Sequence, residues 1–338
     1  MTHVTNDLDN GELGQHVQRM LIRHHAFQKI YSQLEYSFDL APSLKKSTGV
    51  FIEGESGTGK STLAEVFKTA HPKYRTEEKL VAPVIYAQVP EYPTIKSLAS
   101  EILLDFEDPL ANKGTEFEMT ARILTYIKEC ETRVVILDEF QEFVDKSTNG
   151  KVLDKVANWL KGLINKTNIV VVIIGLPRGQ KVLDHNEQLR GRFKRAMKMP
   201  RLDWSDEHLR DEFIGILEAA TNLMRLRFDV PDFHDERLAY RFYLGSGGLL
   251  RIVFNIIHEA AGVAIRSGRT VIDMSDLIEG YDEIVHEIDL QSANPFSPDF
   301  NLNDGQAFQN AKTIGLSSDE KLLYANCVVQ KKVTKTKQ

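Results

Sequence analysis

Short apolar runs alternate with longer amphipathic stretches up to about residue 200, and beyond that point the short runs stop. Val50-Phe51-Ile52, Val84 to Val89, Val134 to Leu137 and Ile169 to Ile174 are apolar at consecutive positions and rich in β-branched residues, which predicts strands covered on both faces. Ala196-Met197-Lys198-Met199 adds a shorter last strand. Between these runs, apolar residues recur at three- and four-residue steps over Ser61 to Phe67, Thr94 to Phe106, Glu116 to Cys130 and Lys151 to Asn165, the helical period. His71-Pro72 ends the first of these helices. The expected architecture is an α/β domain with a parallel five-stranded sheet between helices. Upstream, Leu13, Val17, Met20, Leu21, Phe27, Ile30, Tyr31 and Leu34 predict one or two amphipathic helices packed beside that core. From Asp206 to Ile288 only the helical period occurs, so a small helical domain follows the sheet. Asn294-Pro295-Phe296-Ser297-Pro298 and the terminal lysines read as a linker, one short helix over Ser318 to Cys327, and a basic tail. The expected boundaries are 1–37, 38–203, 204–290 and 291–338.

Composition changes this picture little. The chain has 338 residues, a hydrophobic content of 42% and a net charge of −6, enough for two modest domains. DNA contact would have to come from a local patch of Lys and Arg rather than from the average field. The two cysteines, Cys130 and Cys327, lie far apart and match a reducing, cytoplasmic setting. No leader pattern opens the chain, and no run of about 18 apolar residues occurs, so no membrane partner is expected.

The candidate chemistry starts directly after the first strand. Gly54-Glu55-Ser56-Gly57-Thr58-Gly59-Lys60-Ser61 has the spacing of a phosphate-binding loop and leads into a helix. In such a loop the glycines let backbone N–H groups curl around a triphosphate, Lys60 reaches the β and γ phosphates, Ser61 offers its hydroxyl to Mg²⁺, and Thr62 continues the cradle. The helix N-terminus adds a favourable dipole. The strand from Val134 ends in Asp138-Glu139, which supplies a carboxylate for the metal and a second as base for an attacking water. Gln141 follows as a candidate γ-phosphate sensor. Arg192, and after it Arg190, precede the last strand, where an arginine could reach a neighbouring subunit's γ phosphate. Arg251 opens a helix after Gly245-Ser246-Gly247-Gly248, a position the helix dipole disfavours unless an anion compensates. His24 and His25 are adjacent and point to different faces, which argues against a metal site.

In order, GESGTGKS at 54–61, VVILDEFQ at 134–141, GRF at 191–193 and GGLLR at 247–251 resemble Walker A, Walker B, arginine finger and sensor 2 of an AAA+ ATPase. With the proline-rich 83–94 segment and Ile174-Gly175-Leu176-Pro177, the chain resembles the TniB/TnsC transposition regulators over about residues 15–285. The resemblance implies an AAA+ P-loop fold with a helical lid and an ATP- and Mg²⁺-dependent ATPase. It further implies a homo-oligomeric ring or helical filament on double-stranded DNA that links a TniQ-type targeting protein to a transposase and comes apart on hydrolysis. It places Lys96, Lys146 and Lys151 on DNA-facing loops and Arg251 over the nucleotide. One departure is the Ile174-Gly175-Leu176 segment, where many AAA+ proteins carry a polar sensor 1, so water positioning would rest on Gln141 or a neighbour. The alternatives are a helicase or initiator loader and a nucleotide-switched protein scaffold.

Overall fold

Val134 and Ile136 turn to one side of their strand and Val135 and Leu137 to the other, and all four are buried. Period-two alternation between two apolar faces is why the run reads as continuously hydrophobic. The structure, a computed structural model, describes residues 10–145, 150–288, 293–317, 320, 321 and 324. Its chain forms two compact units, one of residues His25–Pro200 and one that joins the chain up to His24 with the chain from Arg201.

In the first unit, strands β1 (Thr48–Glu53), β2 (Val84–Gln88), β3 (Val134–Asp138), β4 (Val170–Gly175) and β5 (Phe193–Lys198) form one sheet in the order β2-β3-β4-β1-β5. Every neighbouring pair is parallel. This is the expected five-stranded sheet, with the last strand starting earlier, at Phe193. Helices α2 (His25–Leu40) and α3 (Lys60–Ala70) cover one face, where Phe27, Ile30, Leu34, Leu63 and Phe67 meet Ile136, Val172 and Ile174. Helices α4 (Ile95–Asp105), α5 (Glu116–Glu129) and α7 (Gly150–Lys166) cover the other through Leu98, Ile102, Ile123, Val156 and Leu160. The short α6 (Glu142–Asp145), α8 (Gln180–Asp184) and α9 (Glu187–Arg190), and a small antiparallel pair of Tyr74–Arg75 with Leu80–Val81, also belong to that unit. Two helix starts follow directly from local chemistry. Thr94 with Ser97, and Thr115 with Glu118, form capping boxes at α4 and α5.

The second unit is helical and contains α1 (Asn10–Gln18), α10 (Glu207–Met224), α11 (Glu236–Ser246), α12 (Leu250–Arg266), α13 (Met274–Ile288) and α14 (Gly305–Ala311). Two expectations change here. The segment 1–37 does not stay together: Leu13 and Val17 of α1 are buried in the helical core, whereas α2 belongs to the sheet unit. The break comes at residues 19–24, where no helix forms. The second change concerns the segment expected as a linker, which buries Phe296, Ala311 and Ile314 in the helical core and forms α14. Apolar burial there outweighs the Pro-rich composition that marked it as a connection. The basic tail lies outside the described residues, as does most of the helix expected over Ser318 to Cys327. Among the described residues, no single helix is long and apolar enough to cross a membrane.

Candidate nucleotide-binding site

The parallel register puts the carboxyl ends of β1, β3 and β4 side by side, with Glu53 opposite Gly175 and Gln88 of β2 opposite Asp138. The sheet order jumps at β1, which sits between β4 and β5, and in open α/β sheets such a switch point opens a crevice for ligands. The Gly54–Gly59 turn leaves β1 at that edge and delivers Lys60 as the first residue of α3.

The glycines of the turn are needed for different reasons. A Cβ on Gly54 would lie 2.3 Å from the Met199 carbonyl oxygen, so crowding excludes a side chain. Gly59 has open space around it but a φ of 97°, so its conformation requires glycine. Gly57, at φ 81°, also needs the left-handed freedom. Inside the turn the Glu55 carbonyl accepts hydrogen bonds from Lys60 Nζ (2.8 Å) and Thr58 Oγ1 (2.9 Å). Lys60 is buried, and burial lowers its pKa against the opposing pull of Glu139, Asp138 and Glu55. Ser61 is half-buried on the first turn of α3, while Ser56 and Thr62 are exposed.

Asp138 is 1% exposed, and both of its oxygens are engaged. Oδ1 accepts the Glu139 N–H at 2.8 Å and Oδ2 accepts the Tyr86 hydroxyl at 2.9 Å. Burial, followed by the charge of Asp138, pushes the Tyr86 phenol above its usual range, so it remains the donor. The Tyr86 N–H donates to Asp105, which also pairs with Lys68 and Lys73. Glu139 adopts φ 54°, the left-handed region, uncommon for a residue with a side chain. Its Oε2 accepts a hydrogen bond from Gln141 Nε2, and Gln141 Oε1 accepts the Leu176 N–H at 3.0 Å.

The fold therefore gathers Gly54–Ser61, Asp138, Glu139 and Gln141 at one sheet edge. Arg192 and Arg190 lie elsewhere, at the entry to β5 beside the start of β1, where Gly49 donates to the Arg192 carbonyl. The Arg192 guanidinium donates to Ser47 O (3.3 Å) and Asn165 Oδ1 (3.2 Å). Arg190 is exposed and has a loose 3.9 Å contact with Glu187. Arg251 is exposed on the first turn of α12 in the helical unit. The two glycines before it are structural, since Cβ atoms on Gly247 and Gly248 would lie 2.2 and 2.1 Å from the Ala311 and Leu202 carbonyl oxygens. Lys96 and Lys151 are exposed second residues of α4 and α7, and Lys146 lies outside the described residues. Tyr86 escaped the reading of the sequence, because a tyrosine in an apolar strand looks like core until its neighbouring strand is known. His24 lies in the non-helical 19–24 stretch and is buried with Nδ1 3.0 Å from Glu212 Oε1, whereas His25 is exposed as the first residue of α2, so the two do not share the helix expected for them.

With this geometry in place, the sequence model of a family described as Bacterial TniB protein matches residues 15–203, more than half of the chain. The chain belongs to the TniB family. A comparison with curated proteins gives no match. Among solved structures this TniB-family chain is similar to the Aeropyrum pernix ORC2 protein in its ADPNP–ADP complexes, with TM-score 0.55 and 16% identity over 78% of this chain and 68% of that one. It is similar to Cdc6p from Pyrobaculum aerophilum, with TM-score 0.56 and 17% identity over 79% and 68%. It is similar as well to the Aeropyrum pernix ORC1 protein in complex with DNA, with TM-score 0.55 and 15% identity over 80% and 68%. At this identity the likeness establishes the fold, which is the AAA+ fold.

Proposed function

We propose that this TniB-family chain is an ATP-dependent regulator of DNA transposition. It assembles on double-stranded DNA, links a TniQ-type target selector to a transposase, and disassembles when ATP is hydrolysed. The observation that carries the nucleotide chemistry is the convergence of Lys60, Asp138 and Glu139 beside a turn that tolerates no side chain at Gly54. These residues fit ATP and Mg²⁺: backbone N–H groups of 54–61 and Lys60 for the phosphates, Ser61 and Asp138 for the metal. Bound Mg²⁺ supplies Lewis-acid neutralisation of phosphate charge. Tyr86 orients Asp138, and Glu139 takes the proton of the attacking water through its carboxylate. The cation for the transition state comes from a neighbouring protomer. Arg190 is the better donor, because Arg192 would first have to give up its bonds to Ser47 and Asn165. Exposed Lys96 and Lys151 contact DNA phosphates.

The structure solved for ORC1 in complex with DNA supports DNA contact by a protein of this fold. The likeness to Cdc6p also supports an initiator or loader reading, at the level of fold. Negative-stain imaging with a non-hydrolysed ATP analogue, with and without duplex DNA, separates them. Rings or filaments that require duplex are expected, with Glu139→Gln trapping them under ATP. Particles that remain monomeric, or that form only on single-stranded DNA, would count against the transposition reading.

A further inference from the structure

In place of a polar side chain at the end of β4, the chain carries Ile174-Gly175-Leu176, and the only polar groups there are in the backbone. Gln141 uses one of them. Its Oε1 accepts the Leu176 N–H, and its Nε2 donates to Glu139 Oε2. The orientation of this amide follows from Leu176: an N–H can only donate, so the amide oxygen must face Leu176, which turns the NH₂ toward Glu139 Oε2. Gln141 is 3% exposed. Its backbone is held as well, since its carbonyl accepts the N–H groups of Val144 (2.8 Å) and Asp145 (2.9 Å), and the preceding Phe140 N–H donates to Ile174 O at 3.0 Å. The approach depends on the glycine of β4. A Cβ on Gly175 would lie 2.6 Å from Gln141 Oε1, so any side chain there would push the amide away from Leu176.

We propose that Gln141 is a positioning residue that ties the Glu139 carboxylate to the end of β4, so that the β4 backbone, through this amide, performs the ordering a polar residue on that strand would otherwise provide. Gln141 then acts on Glu139 and makes no contact with phosphate. The left-handed backbone of Glu139 belongs to the same arrangement: the chain turns back at residue 139, which lets residue 141 reach across to β4 while Oε1 of Glu139 is left for water. The inference rests on the ATPase reading above for its kinetic consequence and on the structure alone for the hydrogen bond to Leu176.

Gln141→Met keeps the side-chain length and removes both bonds. In full-length protein without nucleotide, hydrogen exchange at the Leu176 amide should accelerate about tenfold or more, as expected when a backbone N–H loses its acceptor and the local structure opens. In the kinetic arm, kcat should fall about 10- to 100-fold, the usual loss when an orienting partner is removed, with nucleotide affinity within about twofold. In a Glu139→Gln background the same substitution should cause no further loss of the residual rate. Unchanged Leu176 exchange in a folded Gln141→Met protein overturns the proposal. So does an equal additional loss in the Glu139→Gln background, which would mean that Gln141 touches the phosphate itself. Absence of turnover in the wild type would instead overturn the ATPase reading, with the exchange measurement still deciding the role of Gln141.

Discussion

Lys60 holds its ammonium where burial disfavours the charge and three acidic side chains favour it, and burial prevails, since its pKa is lowered. A cation kept partly unsatisfied in this way has reason to accept phosphate oxygens. Asp138 is the opposite case, with both oxygens already satisfied by Tyr86 and the Glu139 N–H. Tyr86→Phe removes one donor and leaves a carboxylate oxygen buried without it, at a cost of about 1–3 kcal/mol. The expected result is a fall of several degrees in the thermal midpoint of the sheet unit, together with a higher Mg²⁺ requirement for turnover. An unchanged midpoint would show that the hydroxyl contributes nothing to holding Asp138. The phosphate loop, Asp138 and Glu139 were legible as residues because their chemistry is tied to local spacing. Tyr86 was not, because its role exists only through the pairing of β2 with β3, in which Gln88 lies opposite Asp138.

Among the elements, α4 and α7 both place a lysine at their second position, Lys96 and Lys151, exposed at a helix start. A cation there opposes the helix dipole by about 0.3–1 kcal/mol, so the two residues are not explained by helix stability. Replacing each with Glu should leave stability equal or slightly raised while lowering duplex affinity. If each lysine contacts one phosphate, the slope of log affinity against log salt should become shallower by about 1 per lysine. A loss of affinity with an unchanged slope would remove these lysines from the DNA surface. Element types and most boundaries were readable from apolar periodicity, whereas the capping boxes at Thr94 and Thr115 were found only in the structure. The helix over Gly305–Ala311 was missed because it is short and weakly patterned. Burial of Phe296, Ala311 and Ile314 in the helical core marks that stretch as folded.

At the scale of the molecule, the two arginines precede β5 beside the start of β1, the opposite end of that strand from the phosphate loop, which sets them apart from the nucleotide pocket of their own sheet. Under the oligomer reading they act on a neighbour, and mixing tests this. Arg190→Ala protomers added to wild type should depress turnover per wild-type subunit, as poisoned neighbours would. Arg192→Ala should chiefly lower the thermal midpoint, by losing the ties to Ser47 and Asn165. If Arg192→Ala alone poisons mixed assemblies, the order of the two is reversed. The sequence singled out this pair through its position before the last strand. Which guanidinium stays available depended on Ser47 and Asn165, distant in the chain and brought close only by folding.

What the chain's order of residues settled by itself is whatever depends on near neighbours: two-faced strands, helical periods, and a glycine turn whose backbone needs no side chains. Tertiary structure alone decided which distant groups meet. Examples are Tyr86 on Asp138, Gln141 spanning Glu139 and Leu176, and α1 joining the helical unit instead of the sheet. The physical reason is that hydrogen bonds and apolar contacts between remote segments carry no local signal, and their partners are chosen by strand register and packing.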